Sequence, residues 1–204
     1  MADTETVELI LASTSRYRAD LLRRLRVPFM QRAPDVDEAR RSGEAPVDLA
    51  LRLAAEKAAA VARGTHGAWV IGSDQVCMLG DEALGKPGSH AAAVDQLQRL
   101  SGRVAVFHTA VCVIAPDGTQ QVRNCPTAVE FRRLSPAEIE AYLRLDQPYD
   151  CAGSAKSEAL GPTLLKHMRS DDPTALVGLP LIDLCDMLRR SGYDVLDRAQ
   201  PPSA

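Results

Sequence analysis

Val7-Glu8-Leu9-Ile10-Leu11-Ala12 runs directly into Ser13-Thr14-Ser15-Arg16-Tyr17-Arg18, and Ala19-Asp20-Leu21-Leu22-Arg23-Arg24-Leu25 follows without a break. The order reads as strand, polar loop, helix. A helix that opens behind such a loop presents unpaired N–H groups and the positive end of its dipole, and here three hydroxyls and two guanidinium groups stand at the same place. The stretch therefore reads as a phosphate site on an α/β scaffold. A second reading of the same residues makes Ser15 only a helix cap and leaves Arg16 and Arg18 as solvated surface charges.

Residues 46–62 are rich in strong helix formers and end near Gly64, which predicts a helix. Ala68-Trp69-Val70-Ile71-Gly72 is an apolar run fit for a buried strand, with Ser73-Asp74-Gln75 expected at its C-terminal end. Residues 76–85 turn at Gly80-Asp81 and predict a hairpin leading to Lys86-Pro87. A helix is expected from about Ser89 to Leu100, closed by Gly102. Residues 103–115 and 119–132 are β-rich and flank Pro116-Asp117-Gly118, which predicts a long hairpin. Ser135-Pro136-Ala137-Glu138 combines an N-cap, an N1 proline and a capping-box glutamate, so a helix should run from there to about Leu145. A last helix is signalled from Pro180 to Arg190 with Gly192 behind it, and the tail after about Asp197 looks dispensable. Strands and helices alternate early and a hairpin sits late, which favours α/β with a mixed sheet.

The 204 residues are enough for a full hydrophobic core, either as one domain or as two lobes sharing a sheet. No apolar run approaches a membrane span, and Met1-Ala2-Asp3-Thr4-Glu5 lacks the pattern of a secretory leader, so a cytoplasmic protein away from membranes is expected. A net charge of −3 with 4% aromatic residues argues against a nucleic-acid polymer as partner, while leaving room for a small polyanion in one basic pocket. The five cysteines are odd in number and widely spaced, with no Cys-x-x-Cys, so they read as reduced packing residues rather than a disulfide frame or a zinc site.

Gly72-Ser73-Asp74-Gln75 places a carboxylate where open α/β sheets tend to hold ligands. Asp74 reads as a metal ligand, as a proton acceptor or as a turn former. Asp35 and Asp37-Glu38 make a second acidic cluster. Lys57 and Lys86 suit phosphate oxygens, although each alone also reads as a surface charge. The segment 149–161 is poor in bulky apolar groups and rich in donors and acceptors, and residues 171–180 lead through acids and a tight turn into the last helix. A surface loop explains each piece separately but not the set.

Ser13-Thr14-Ser15 with Arg18, Glu38, Lys57, Gly72-Ser73-Asp74-Gln75, Gly85-Lys86-Pro87, Cys151-Ala152-Gly153-Ser154 with Lys156 and Glu158, and Asp172-Pro173-Thr174 with Val177-Gly178-Leu179-Pro180 together resemble the Maf-like nucleoside triphosphate pyrophosphatases. The resemblance runs in unbroken order from about Leu9 to Tyr193. It implies a single Maf-like α/β domain of two lobes around a mixed β-sheet with a central cleft. It also implies hydrolysis of a small-molecule nucleotide between its α and β phosphates, with a divalent cation, Mg²⁺ or Mn²⁺, as cofactor. In that frame Asp74 is the general base and a metal ligand, with Glu38 sharing the metal. Ser13, Ser15, Arg18, Lys57 and Lys86 bind phosphates. Tyr17, Gln75 and Glu158 select the base.

Asp74-Gln75 with Glu158 look like the 7-methyl-GTP branch, whereas the dTTP/UTP branch typically has Thr after the catalytic Asp and Gln in the later slot. A dTTP/UTP pyrophosphatase and a nucleotide-binding regulator without turnover are the alternatives, and a homodimer is compatible with the family. One departure stands out: Arg16 occupies the place where the family loop often has proline.

Overall fold

The computed structural model describes residues 8–201. Strand β1 (Leu9–Ala12) leads through Ser13-Thr14-Ser15 into helix α1 (Arg16–Arg23), so the opening stretch folds as its sequence predicts, with the helix starting three residues earlier. Val7 lies outside the described residues. The Ser15 side chain accepts from the Arg18 N–H and caps α1. Strand β2 (Met30–Arg32) follows, then the long helix α2 (Pro46–Ala62) with proline in its first turn.

Strand β3 spans Trp69–Leu79, and β4 (Glu82–Leu84) folds back on it. Helix α3 (His90–Leu100) is capped by Ser89, and the hairpin of β5 (Val104–Ile114) and β6 (Gln120–Phe131) comes next. Helix α4 (Pro136–Asp146) carries the full Ser135–Glu138 capping box, which contributes about 1 kcal/mol by pairing two end amides. Strand β7 (Leu165–Ser170), helix α5 (Leu181–Arg190) and the short helix α6 (Val195–Arg198) complete the order.

The strands form a mixed sheet in the order β2-β1-β3-β5-β6-β7, with β4 attached to β3. β1 pairs in parallel with β2 and β3, and the remaining pairings are antiparallel. One face of the β1/β3/β5 region packs on α2 through Ile10, Leu53, Ala54, Ala58, Val70 and Cys112. The other face packs on α1 and α5 through Leu11, Leu22, Ile71, Val111, Leu184 and Leu188. A third apolar cluster joins α3 and α4 to the far ends of β3, β5 and β6 through Leu97, Leu100, Phe107, Phe131 and Leu143. These are the two lobes, and the β5/β6 hairpin runs through both.

The lobes part along one edge of β3. Its pairing with β1 stops at Gly72, its pairing with β4 begins at Cys77, and the opposite edge is held by β5 throughout. Among the described residues, 73–76 therefore have no strand beside them on that side, and the cleft opens there.

One sequence expectation changes. The strand predicted over residues 68–72 continues through Ser73-Asp74-Gln75, because β5 supplies a ladder on the other edge, so Asp74 lies in mid-strand rather than at a strand end. β7 carries no periodic apolar signal, since it is a largely exposed edge strand reading Leu-Lys-His-Met-Arg-Ser. The stretch after Asp197 also has contacts of its own: Arg198 Nε donates to Glu8 at 2.9 Å, its guanidinium lies 4.5 Å from the Tyr193 ring centre, and the Gln200 N–H donates to the Arg26 carbonyl. No helix of the described residues is long and apolar enough to cross a membrane.

Candidate active site

Gly72 sets the depth of the cleft floor. A Cβ at this position would stand 2.1 Å from the Ala54 carbonyl oxygen and 2.7 Å from the Ala58 amide nitrogen, so only glycine lets α2 approach β3 this closely. That approach lays Lys57 of α2 against Asp74, two residues further along the same face of β3. Lys57 Nζ donates to Asp74 Oδ1 at 2.7 Å and lies 2.7 Å from Glu38 Oε1, with Lys57 and Asp74 both buried. One ammonium thus holds two carboxylates from different segments. Its hydrogen bond is the main reason the Glu38 carboxyl sits below the usual carboxylate range, against the opposing effect of partial burial.

The opposite face of β3 is tied to the turn before α5. Ser73 Oγ and Arg18 Nε each donate to the Gly178 carbonyl at 2.9 Å, and Gly178 has φ 124°, a conformation that L side chains rarely adopt. Gln75 Nε2 donates to Thr109 Oγ1 and to the carbonyls of Ala175 and Leu176. The turn is stiffened from behind by Asp172, which accepts from the Thr174 and Ile182 N–H groups and so caps α5 from outside the helix. Asp172 and Thr174 therefore build the scaffold.

The cleft holds about 720 Å³ and is lined by Ser13, Ser15, Tyr17, Arg18, Glu38, Lys57, Asp74, Gln75, Lys86 and Glu158, together with Phe107, Asp150, Cys151 and others. The ten residues given roles by the resemblance all line it, whereas Asp35 and Asp37 of the acidic cluster do not. Lys156 does not, because its ammonium donates to the Asp146 carbonyl at 2.7 Å. Burial lowers the pKa of Arg18, with Asp74 and Glu38 pulling the other way, so it is no solvated surface charge. Ser15 is at once the cap of α1 and part of the cleft wall, and Arg16, Tyr17 and Arg18 of the first turn of α1 line the same space.

Arg16 has a role of its own. Its guanidinium lies 4.8 Å from the Tyr17 ring centre and donates to Tyr17 Oη at 2.7 Å, while Tyr17 Oη donates to Asp150 Oδ2 at 3.0 Å. This chain of contacts ties α1 of one lobe to the segment after α4 of the other. Asp150 and Phe107 were not singled out from the sequence: an Asp before Cys and an apolar residue in a β-rich run carry no distinguishing pattern. All five cysteines are free; Cys77, Cys112 and Cys125 are buried, whereas Cys151 borders the cleft, where burial pushes its thiol up to about 11.

Among the described residues no group of three or more His, Cys, Asp or Glu side chains is placed to hold a metal by itself. The acidic donors in the cleft near Lys57 are Asp74 and Glu38. A donor set of one or two carboxylates suits Mg²⁺, which keeps several waters and takes its other ligands from substrate phosphates.

The family model described as Maf-like protein matches residues 8–191. The chain is 57% identical over 189 residues to the 7-methyl-GTP pyrophosphatase of Thiobacillus denitrificans, covering 92% of this chain and 94% of that protein. Proteins of the same name from Albidiferax ferrireducens (56% identical, covering 93% of this chain and 96% of that one) and Cupriavidus metallidurans (55%, covering 91% and 94%) are similarly related. With its two-lobed mixed sheet and a cleft built from the residues that carry the resemblance, the chain belongs to the Maf-like protein family.

Proposed function

We propose that this protein is a nucleoside triphosphate pyrophosphatase that hydrolyses 7-methyl-GTP to 7-methyl-GMP and pyrophosphate and so removes a modified nucleotide. The observation that carries the reading is the Lys57 ammonium held between Asp74 and Glu38 in a cleft that also presents Lys86, Arg18 and the start of α1. Its size is that of a small-molecule site. Relatives at 55–57% identity that bear the name 7-methyl-GTP pyrophosphatase supply the choice of substrate.

A triphosphate brings a dense negative charge, and more develops on the leaving pyrophosphate. Arg18, Lys86, the hydroxyls of Ser13 and Ser15 and the start of α1 offset that charge, and Arg18, Ser13 and Ser15 are held by hydrogen bonds before the nucleotide arrives. Asp74 Oδ1 is occupied by Lys57, whereas Oδ2 has no hydrogen-bond partner among the described residues and borders the cleft. Oδ2 is the atom that takes the proton from the attacking water, and the Lys57 contact at Oδ1 orients the carboxylate for it. Water adds to the α-phosphorus, and the bond from that phosphorus to the α–β bridging oxygen breaks. Mg²⁺ or Mn²⁺ is the cofactor in this reading; Asp74 and Glu38 would hold it, and when bound it supplies charge neutralisation at the phosphates.

Gln75 on the cleft wall has its amide N–H₂ engaged by three acceptors, which leaves its carbonyl oxygen without a partner among the described residues, and Glu158 lines the same cleft as an exposed residue. A wall of acceptors suits the N–H edge of guanine, and negative charge suits the fixed cation of its 7-methyl form. Arg16 already lies over the Tyr17 ring, so Tyr17 is available to a base by its other face.

Pyrophosphate release from 7-methyl-GTP, GTP, UTP, dTTP and CTP with Mg²⁺ or Mn²⁺ tests the proposal. The expected result is the highest kcat/KM with 7-methyl-GTP. Preference for UTP or dTTP would assign the protein to the other branch, and binding without turnover would make it a regulator.

A further inference from the structure

Ala39, the residue after Glu38, is held at both of its backbone polar groups. Its N–H donates to Asp37 Oδ1 at 2.9 Å, and its carbonyl accepts from Arg52 Nη2 at 3.1 Å. Residues 33–45 form neither helix nor strand, so no ladder fixes where Glu38 stands. The acidic cluster Asp37-Glu38 thereby divides its labour: Asp37 closes a local turn, and Glu38 at its tip reaches Lys57.

Arg52 lies on α2, the helix that also carries Lys57. Its guanidinium makes a two-pronged contact with Glu44, Nε to Oε1 at 2.5 Å and Nη2 to Oε2 at 2.9 Å, and Nη1 donates to Glu56 at 2.9 Å. Unlike most ion pairs of this protein it is sequestered, with the Arg52 and Glu44 side chains 13% and 9% exposed. Glu44 in turn accepts from the Arg41 N–H, and its own carbonyl accepts from Arg40 Nε. The loop is thus stapled to α2 behind Glu38 by one planar fork. A lysine cannot reproduce that geometry, because its ammonium is a single point of charge without fixed parallel donors.

We propose that Arg52 is a positioning residue for the cleft, holding Glu38 on Lys57 through the Ala39 carbonyl and the Glu44 carboxylate. It touches no substrate and acts only by keeping the acidic loop in register with α2. The inference rests on the reading of the cleft as a nucleotide pyrophosphatase site.

A double-mutant cycle on kcat/KM for 7-methyl-GTP with Glu38→Gln and Arg52→Lys tests it, because a residue acting through another gives losses that do not multiply. Glu38→Gln is expected to lower kcat/KM by about 10- to 100-fold and Arg52→Lys by about 5- to 50-fold, with the double variant within about 2-fold of Glu38→Gln alone. A merely structural Arg52 would give the product of the two losses, and that result overturns the proposal, as does a Glu38→Gln variant with full activity. If Arg52→Lys melts below the assay temperature, Glu44→Gln takes its place in the cycle with the same expectation. Absence of pyrophosphate release by the unsubstituted protein would instead sink the pyrophosphatase reading. The same cycle, read on the Kd for 7-methyl-GTP, then decides the positioning role by the same rule.

Discussion

Lys57 Nζ lies 2.7 Å from Asp74 Oδ1, and this contact joins α2 to β3 where β3 has lost β1 and not yet met β4. Burying a charge is costly unless it is paired and hydrogen-bonded, and here each group supplies the other's counter-charge at the place where the sheet splits. The same split that makes two lobes from one sheet delivers a charged, hydrogen-bonding floor to the space between them.

Asp74→Asn should lower kcat by about 10² to 10⁴-fold while leaving nucleotide binding largely intact, because the amide keeps the contact with Lys57 but cannot accept the water proton. Steady-state kinetics beside a Kd measured by calorimetry separate the two. Near-normal turnover would remove Asp74 from the mechanism.

Gly72→Ala should cost on the order of 3 kcal/mol, the upper end of overpacking penalties, since the two nearest neighbours of the new Cβ are backbone atoms. Its activity should fall further than its stability explains, because moving α2 away from β3 separates Lys57 from Asp74. A variant with the original melting temperature and full activity would show that the close approach is not needed.

How far the sequence carried can be judged from these residues. The strand–loop–helix start, the β5/β6 hairpin and the Ser135 capping box were legible because each depends on local pattern and turn chemistry. The role of Gly72 was not, because a glycine in a strand shows its reason only when the helix across from it is in place. The continuation of β3 through Ser73-Asp74-Gln75 was hidden for a related cause: three polar residues look like a strand end until the neighbouring β5 ladder is known. Candidate site residues were collected by order along the chain and by resemblance, whereas the clasp around Glu44 and the contact of Tyr17 with Asp150 join residues far apart in sequence and left no motif to read.

Glu158→Gln, especially combined with Gln75→Thr, should lower the kcat/KM ratio of 7-methyl-GTP to UTP by about 5- to 100-fold, the range for losing a charged hydrogen bond in recognition. The ratio within each variant is the quantity to compare, since a disturbed loop lowers all substrates together. An unchanged ratio would remove Glu158 and Gln75 from base selection.

Acid should destabilise the protein through carboxyls whose folded pKa is depressed. The Ser135 amide and hydroxyl first, and then Arg132, hold Glu138 at about 2, and the Arg52 fork holds Glu44 at about 2. A depressed folded pKa gives stability that is complete above the unfolded value of about 4.3 and is lost as pH falls through the folded value. Melting temperatures should therefore decline from about pH 4.3 toward pH 2. In Glu138→Gln the neutral-pH melting temperature should drop while the value near pH 2 stays close to that of the unsubstituted protein. A parallel offset at all pH values would contradict this.

Chelation with EDTA should abolish turnover, and Mg²⁺ or Mn²⁺ should restore it in full without refolding, because Asp74 and Glu38 at Lys57 make two carboxylates rather than a complete metal cage among the described residues. Circular dichroism before and after chelation should superimpose. Loss of folded signal on chelation would point to a structural metal instead.

Hydrolysis of 7-methyl-GTP in ¹⁸O-labelled water tests the central claim most directly, because it reads out which phosphorus the attacking water reaches. One ¹⁸O is expected in 7-methyl-GMP with unlabelled pyrophosphate in equal amount, and both should form about 10² to 10⁴-fold more slowly with Asp74→Asn. Label in the pyrophosphate, or release of orthophosphate with 7-methyl-GDP, would contradict it.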